Sequence, residues 1–166
     1  MKKIIWISSY PKSGNTFLRA MLSAFFYSKE GIFKQDYLKN IPEFPRDFFE
    51  LKSSNNFLNE IKEYEKIQKK ISSTDKEIIF LKTHLANLTI NKTFPTINKD
   101  CSMCSIYIVR DPRNVILSLK NHYNLDIKKC LNFLMNDKNF ICMKNKDLSK
   151  GYTLILDWAS NYLSWK

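Results

Sequence analysis

Glycine is scarce in this chain of 166 residues: there are three, Gly14, Gly31 and Gly151. No glycine-rich linker, internal repeat or low-complexity tract is present. Histidine is scarcer still, with His84 and His122 alone. The four cysteines, Cys101, Cys104, Cys130 and Cys142, contain one close pair. A structural zinc site needs two close pairs, or a pair of histidines at matching spacing, and neither occurs. No uncharged apolar run reaches the roughly 18 to 20 residues that cross a bilayer. The opening Met1-Lys2-Lys3-Ile4-Ile5-Trp6-Ile7 starts like a secretion signal, but its apolar run stops at Ser8 and no small-residue cleavage site follows. These features lead us to expect a cytoplasmic protein, with reduced and mostly buried thiols rather than a disulfide framework.

What the chain has in excess is lysine. Net charge is +11, from 27 basic against 16 acidic residues, and only four of the basic residues are arginine. Such a charge admits nucleic acid, an acidic surface or an anionic small ligand as partner. Abundant asparagine and isoleucine beside the lysine point to a compositional bias spread over solvated faces. The arginines carry more information, because Arg19, Arg110 and Arg113 fall in the two most motif-like segments. A fork of guanidinium donors there suits an anion. With 44% apolar residues the chain can bury a core, and its length suits one domain, residues 1–166.

Periodicity predicts a strand over 3–8, a polar turn over 9–14 and a helix from Thr16, with apolar residues from Phe17 to Phe26 at helical spacing. An amphipathic helix is expected over 56–72 and a buried strand at 78–81 running into Lys82-Thr83-His84. A second short buried strand follows at 106–109. A helix then starts at Asp111-Pro112, where the carboxylate can cap free N–H groups and proline fits the first turn. Further helices are expected at 126–136 and from Tyr152 to the end. Strands alternating with helices give an α/β fold with a mostly parallel central sheet and flanking helices. Ligands of such sheets sit at the carboxyl ends of the strands. Three polar clusters lie there: 10–16, 82–84 and 110–114.

In the first, Tyr10-Pro11-Lys12-Ser13-Gly14-Asn15-Thr16 joins strand to helix. The N–H groups and dipole of a helix start attract anions. Gly14 allows close backbone approach, Lys12 brings charge, and Ser13 and Thr16 bring hydroxyls, which together suit a phosphate or phosphosulfate. The loop lacks the Gly-x-x-x-x-Gly-Lys-Ser/Thr order of nucleoside-triphosphate loops. In the last cluster, Arg110 can grip a phosphate with two prongs and Ser118, eight positions on, adds a donor. Arg113 is assigned to the surface or a carboxylate. A lone histidine after a strand is ordinarily a surface or capping residue. Beside two anion-binding clusters, His84 becomes a candidate general base. His122, next to Tyr123, is expected to be structural.

The string Tyr10 to Arg19 closely resembles the 5′-phosphosulfate loop of sulfotransferases that use PAPS (3′-phosphoadenosine-5′-phosphosulfate), usually Tyr-Pro-Lys-Ser-Gly-Thr/Asn-Thr-Trp. Tyr107 to Ser118 is similar to that family's 3′-phosphate segment, and Lys82-Thr83-His84 to its Lys-Thr/Ser-His element. The resemblance implies a P-loop-NTPase-like fold and a sulfuryl transfer from PAPS, with PAP as product and no metal. It implies that Lys12, Ser13, Gly14, Asn15 and Thr16 hold the phosphosulfate, that Phe17 stands for a tryptophan near the adenine, and that Arg110 and Ser118 take the 3′-phosphate. His84, Lys12 and Lys82 would be the catalytic residues. The acceptor would be a hydroxyl or amine on a small molecule, lipid or glycan, with 31–56 and 85–103 as the segments expected to line its side. Members of that family continue beyond a Trp-containing helix like 157–165, so an incomplete sheet and exposed apolar surface are expected here. The rivals are a non-catalytic PAP- or PAPS-binding fragment, a P-loop phosphoryl transferase and a basic nucleic-acid-binding module.

Overall fold

The central strand of the molecule is β1, Ile4–Ser9. Its side chains alternate between two covered faces, so the whole run is apolar until the serines at its end. It pairs in parallel with β2, Ile79–Thr83, on one side (Ile4 opposite Ile79, Ser8 opposite Thr83). On the other side it pairs in parallel with β5, Ser102–Ile108 (Ile5 opposite Cys104, Ser9 opposite Ile108). The sheet order is therefore β2-β1-β5. A computed structural model describes residues 2–48, 57–143 and 150–166. Cys142 has no described side chain, and residues 49–56, part of one segment assigned to the acceptor side, fall outside the described residues.

Helix α1, Asn15–Tyr27, covers one face of the sheet, where Leu18 and Leu22 pack against Ile5, Ile7 and Phe80. Helix α2, Phe57–Ser72, covers the other. Its Ile61 and Tyr64 enter a core with Ile4, Trp6, Leu81 and Phe44. Phe44 is the hub of that core, with its ring 5.5 Å from Trp6 and 5.2 Å from Tyr64, both edge-on. Each such pair contributes about 0.5 to 1.5 kcal/mol beyond burial. Two small antiparallel hairpins complete this side: β3, Thr89–Ile90, with β4, Phe94–Pro95, and β6, Phe140–Met143, with β7, Lys150–Leu154.

Three helices start at aspartate caps, of which Asp111 was expected from the sequence. Asp111 caps α3, Pro112–Tyr123; Asp126 caps α4, Ile127–Met135; Asp157 caps α5, Trp158–Ser164, each accepting from a backbone N–H of the first turn. Tyr10 bridges from the end of β1 to this layer, packed among Val115, Leu119, Cys130 and Leu134, and donates to the Phe133 carbonyl at 3.1 Å.

Several expectations need correction. The strand placed at 106–109 begins at Ser102 and, among the described residues, is the sheet's edge, with partners on one side only. Ile106 and Val109 are 41% and 53% exposed instead of buried, and Met103 in the added part of the strand is 48% exposed. The helix expected from Tyr152 starts at Trp158, because 150–154 forms β7 and pairs with β6. In α1 the apolar spacing does not mean full burial: Phe17, Met21 and Phe25, one turn apart, form an exposed stripe. Of the thiols, Cys101 and Cys130 are buried but Cys104 is exposed on β5; all three are free. No helix among the described residues is long and apolar enough to cross a membrane.

Candidate active site

The turn from β1 into α1 is shaped by two left-handed residues, Lys12 (φ 66°) and Gly14 (φ 102°). An L side chain at Gly14 would be strained by that φ, although no atom lies within 4 Å of where its Cβ would sit. The space over Gly14 is thus open for a ligand. Unlike α3, α4 and α5, α1 starts at an N-cap, Gly14, that has no side-chain cap. Its first N–H groups have no intrahelical acceptor. Ser13 and Asn15 are buried, and neither Ser13 Oγ nor Asn15 Oδ1 has a hydrogen-bond partner. A loop of this shape, with the N–H groups of a helix start free, fits an anion, whereas the buried Asn15 Oδ1 can only accept and offers it nothing. Asn15 also braces the turn from within, as its amide donates to the Ile7 carbonyl at 3.0 Å and to Ser9 Oγ at 3.2 Å, tying the helix start to β1.

Arg110, just past β5, reaches this loop directly. Its Nη1 donates to the Lys12 carbonyl at 3.0 Å, across 98 residues of sequence. The guanidinium has five donors in all, so one bond to the loop leaves it capable of a further acceptor. Ser118 lies half-buried two turns along α3. Arg113 is spoken for by Asp111, with contacts of 2.6 to 3.1 Å. Its hydrogen bonds and charge hold the Asp111 carboxyl down at about 2. Arg19 is not an anion ligand. It donates to the carbonyls of Leu38 and Ile41 at 3.0 and 2.6 Å, pinning the 3-10 turn Gln35–Asn40 onto α1.

His84 sits at the end of β2, one strand from the loop. Its Nδ1 is 2.7 Å from the Ser9 carbonyl, which can only accept, so Nδ1 carries the proton. A neutral ring then has its lone pair on Nε2. Burial, and next the nearby Lys82 ammonium, push the imidazole well below its usual value of 6.5. The His84 carbonyl accepts from Asn161 Nδ2 at 3.1 Å, and Asn161 Oδ1 accepts from Tyr107. Helix α5 therefore braces the histidine from behind. Lys82 is buried and salt-bridged to Glu43 at 2.6 Å. Burial lowers its ammonium to about 8 despite that carboxylate.

A cleft of about 480 Å³ brings these groups together: Lys12, Gly14, Asn15, Thr16 and Phe17 from the turn, Lys82 and His84 from β2, Arg110 and Ser118 from the far side. Ser13 alone among the expected site residues does not line it; its hydroxyl is buried beneath the turn. Among the described residues, the cleft holds the cations Lys12, Arg46, Lys82 and Arg110 against the single carboxylate Glu43, a potential made for a polyanion. A family model described as a sulfotransferase domain matches residues 2–165. The chain belongs to the sulfotransferase domain family. No curated protein matches it. Membership supports sulfuryl transfer as the general chemistry of this sulfotransferase domain.

Sequence reasoning missed four contributors to the site of this sulfotransferase domain. Glu43 and Arg46 line the cleft from a loop that the sequence marks only by its prolines. Ser9 and Asn161 position His84 through a backbone carbonyl and a buried amide, which have no motif. Of the segments assigned to the acceptor side, 31–56 reaches the cleft through Glu43 and Arg46, whereas no residue of 85–103 lines it. His122, expected to be structural, is exposed at the cleft and stacked edge-on against Tyr123 at 4.6 Å. A second cleft, of about 440 Å³ between α3, α4 and α5, is mostly apolar; of the three clusters only Pro112 and Arg113 reach it.

Proposed function

We propose that this sulfotransferase domain moves a sulfuryl group from PAPS to a hydroxyl or amine acceptor. The observation that carries this reading is the meeting of the Lys12–Phe17 turn, Arg110 with Ser118, and Lys82 with His84 on one cationic cleft. A donor with charge at both ends fits that spread. The turn's N–H groups, Lys12 and Thr16 would hold the phosphosulfate, and Arg110 and Ser118 the 3′-phosphate. Phe17, 72% exposed at the rim, offers a ring face to the adenine.

In the reaction, acceptor oxygen or nitrogen forms a bond to sulfur while the bond from sulfur to the 5′-phosphate oxygen breaks, its electron pair leaving with PAP. His84 Nε2 takes the acceptor proton. Lys12 supports charge on the departing oxygen and Lys82 neutralises the sulfuryl oxygens. The protein acts by positioning and charge stabilisation. Because His84 stays neutral well below pH 6.5, the proposed base is active on the acid side of neutrality.

Calorimetry with PAP on wild type, Lys12→Ala and Arg110→Ala tests the site. Each substitution is expected to cost at least about 1.5 to 3 kcal/mol, the worth of a charged hydrogen bond. Equal affinity in all three proteins sinks the assignment. Labelled PAPS with a phenol, an alcohol and an amine then separates transfer from binding alone. Magnesium-dependent ATP hydrolysis would instead favour a phosphoryl transferase.

A further inference from the structure

The loop that carries Glu43 is not merely near β2; it is laid alongside it. Lys82 N donates to the Pro42 carbonyl at 2.9 Å, and Phe44 N donates to the Lys82 carbonyl at 2.8 Å. Glu43 thus stands in parallel register with Lys82, between two backbone bonds. The loop is itself closed: Glu43 N donates to Asp47 Oδ2 at 2.7 Å and Asp47 N to the Glu43 carbonyl at 2.8 Å. From this platform one carboxylate oxygen, Glu43 Oε2, meets Lys82 Nζ at 2.6 Å and Arg46 Nη1 at 2.8 Å. Glu43 and Lys82 are each 8% exposed, yet both line the cleft with His84.

A pair serving stability alone gains nothing from that place. Buried ion pairs contribute little net stability compared with apolar packing, and what they do well is fix geometry. We propose that Glu43 is a positioning residue for sulfuryl transfer, holding the Lys82 side chain charged and directed into the cleft beside His84. This rests on the reading of Lys82 and His84 given above.

The surroundings of Lys82 show why a carboxylate is needed. Arg19 on α1 and Arg46 on the 3-10 turn Arg46–Phe48 both disfavour its charge, and burial disfavours it more. Asp47 is engaged by Arg46 Nε at 2.9 Å. His84 is neutral at the strand end, and Lys12 and Arg110 add positive charge across the cleft. With Glu43 in place the ammonium titrates at about 8. Without it, the same forces act unopposed, and Lys82 gives up its proton at lower pH.

The test is Glu43→Gln, with Glu43→Asp as the conservative variant, in the full chain. PAP affinity is measured by calorimetry, and loss of label from PAPS, to 2-naphthol or to water, is followed from pH 5.5 to 9.5. Lys82 itself is titrated by NMR of its side-chain carbons. For Glu43→Gln we expect PAP affinity within about threefold of wild type, turnover at pH 8 down at least about tenfold, and the alkaline limb of the profile moved down by about one unit or more, since each unit is a tenfold change in the protonated fraction. Glu43→Asp should recover part of both changes. If Glu43→Gln does not fold, the smaller downward shift of the limb in Glu43→Asp decides. An unmoved limb and unmoved Lys82 titration overturn the role of Glu43 while leaving the sulfotransfer reading intact. Wild type that neither binds PAP nor releases label overturns both.

Discussion

Gly14 concentrates two demands in one residue: a backbone angle of φ 102° and an open space above it. Gly14→Ala should cost about 1 to 2 kcal/mol of stability, the penalty for a left-handed L residue. Its loss of PAP affinity should be larger than that stability loss implies, because the new methyl occupies the ligand's approach. Urea melts and calorimetry on the same variant separate the two. His84 makes a different prediction. In the folded chain it resists protonation well below 6.5, whereas in the unfolded chain it takes a proton near that value. The unfolded state then binds more protons, so stability falls as pH drops below about 6.5. The urea midpoint should fall from pH 7 to pH 5, and His84→Gln should flatten that slope. The clusters at Lys12, Lys82 and Arg110 were legible in the sequence because their residue types are themselves the chemistry. Glu43 was not, since a glutamate between prolines has no pattern until a loop is seen lying along β2.

At the scale of elements, α5 is short, seven residues, and depends on its ends. Asp157 accepts from Ser160 N at 2.9 Å, Trp165 Nε1 donates to the Leu85 carbonyl at 2.9 Å, and Asn161 holds the carbonyl of His84. Asp157→Ala should cost about 1 kcal/mol as a lost N-cap. The N–H of Leu85, which shares a peptide unit with the His84 carbonyl and donates to Thr83 Oγ1 at 3.1 Å, should lose hydrogen-exchange protection with it, which mass spectrometry would detect; protection unchanged there would deny the coupling. The same element shows where periodicity misleads. The apolar residues of 152–155 read equally as helix or as strand, and pairing with β6 settles the matter for strand. β5 was misread for a related reason: an apolar run looks the same whether a sheet continues past it or stops.

For the molecule as a whole, the β5 edge that no described strand covers and the Phe17–Met21–Phe25 stripe leave apolar surface in water while net charge stands at +11. Charge repulsion keeps copies apart at low salt, and exposed edges favour association once it is screened. Light scattering should therefore rise with added sodium chloride at fixed protein concentration, and Ile106→Lys should suppress the rise. A flat response in the parent protein would show that the edge is inert. The parallel sheet and flanking helices were readable from strand and helix alternation; which edge stays bare was not, because it depends on partners rather than on the strand's own residues.

The carbonyl of Ser9 belongs to the central strand, yet it decides which imidazole nitrogen of His84 is basic. Six residues on, Asn15 clasps Ser9 through its hydroxyl. In the proposed mechanism, donor grip and proton removal thus share a single hinge of main chain. A variant that tilts this hinge would misplace the proton without touching the histidine, so the evolution of one function in this cleft is constrained by the other.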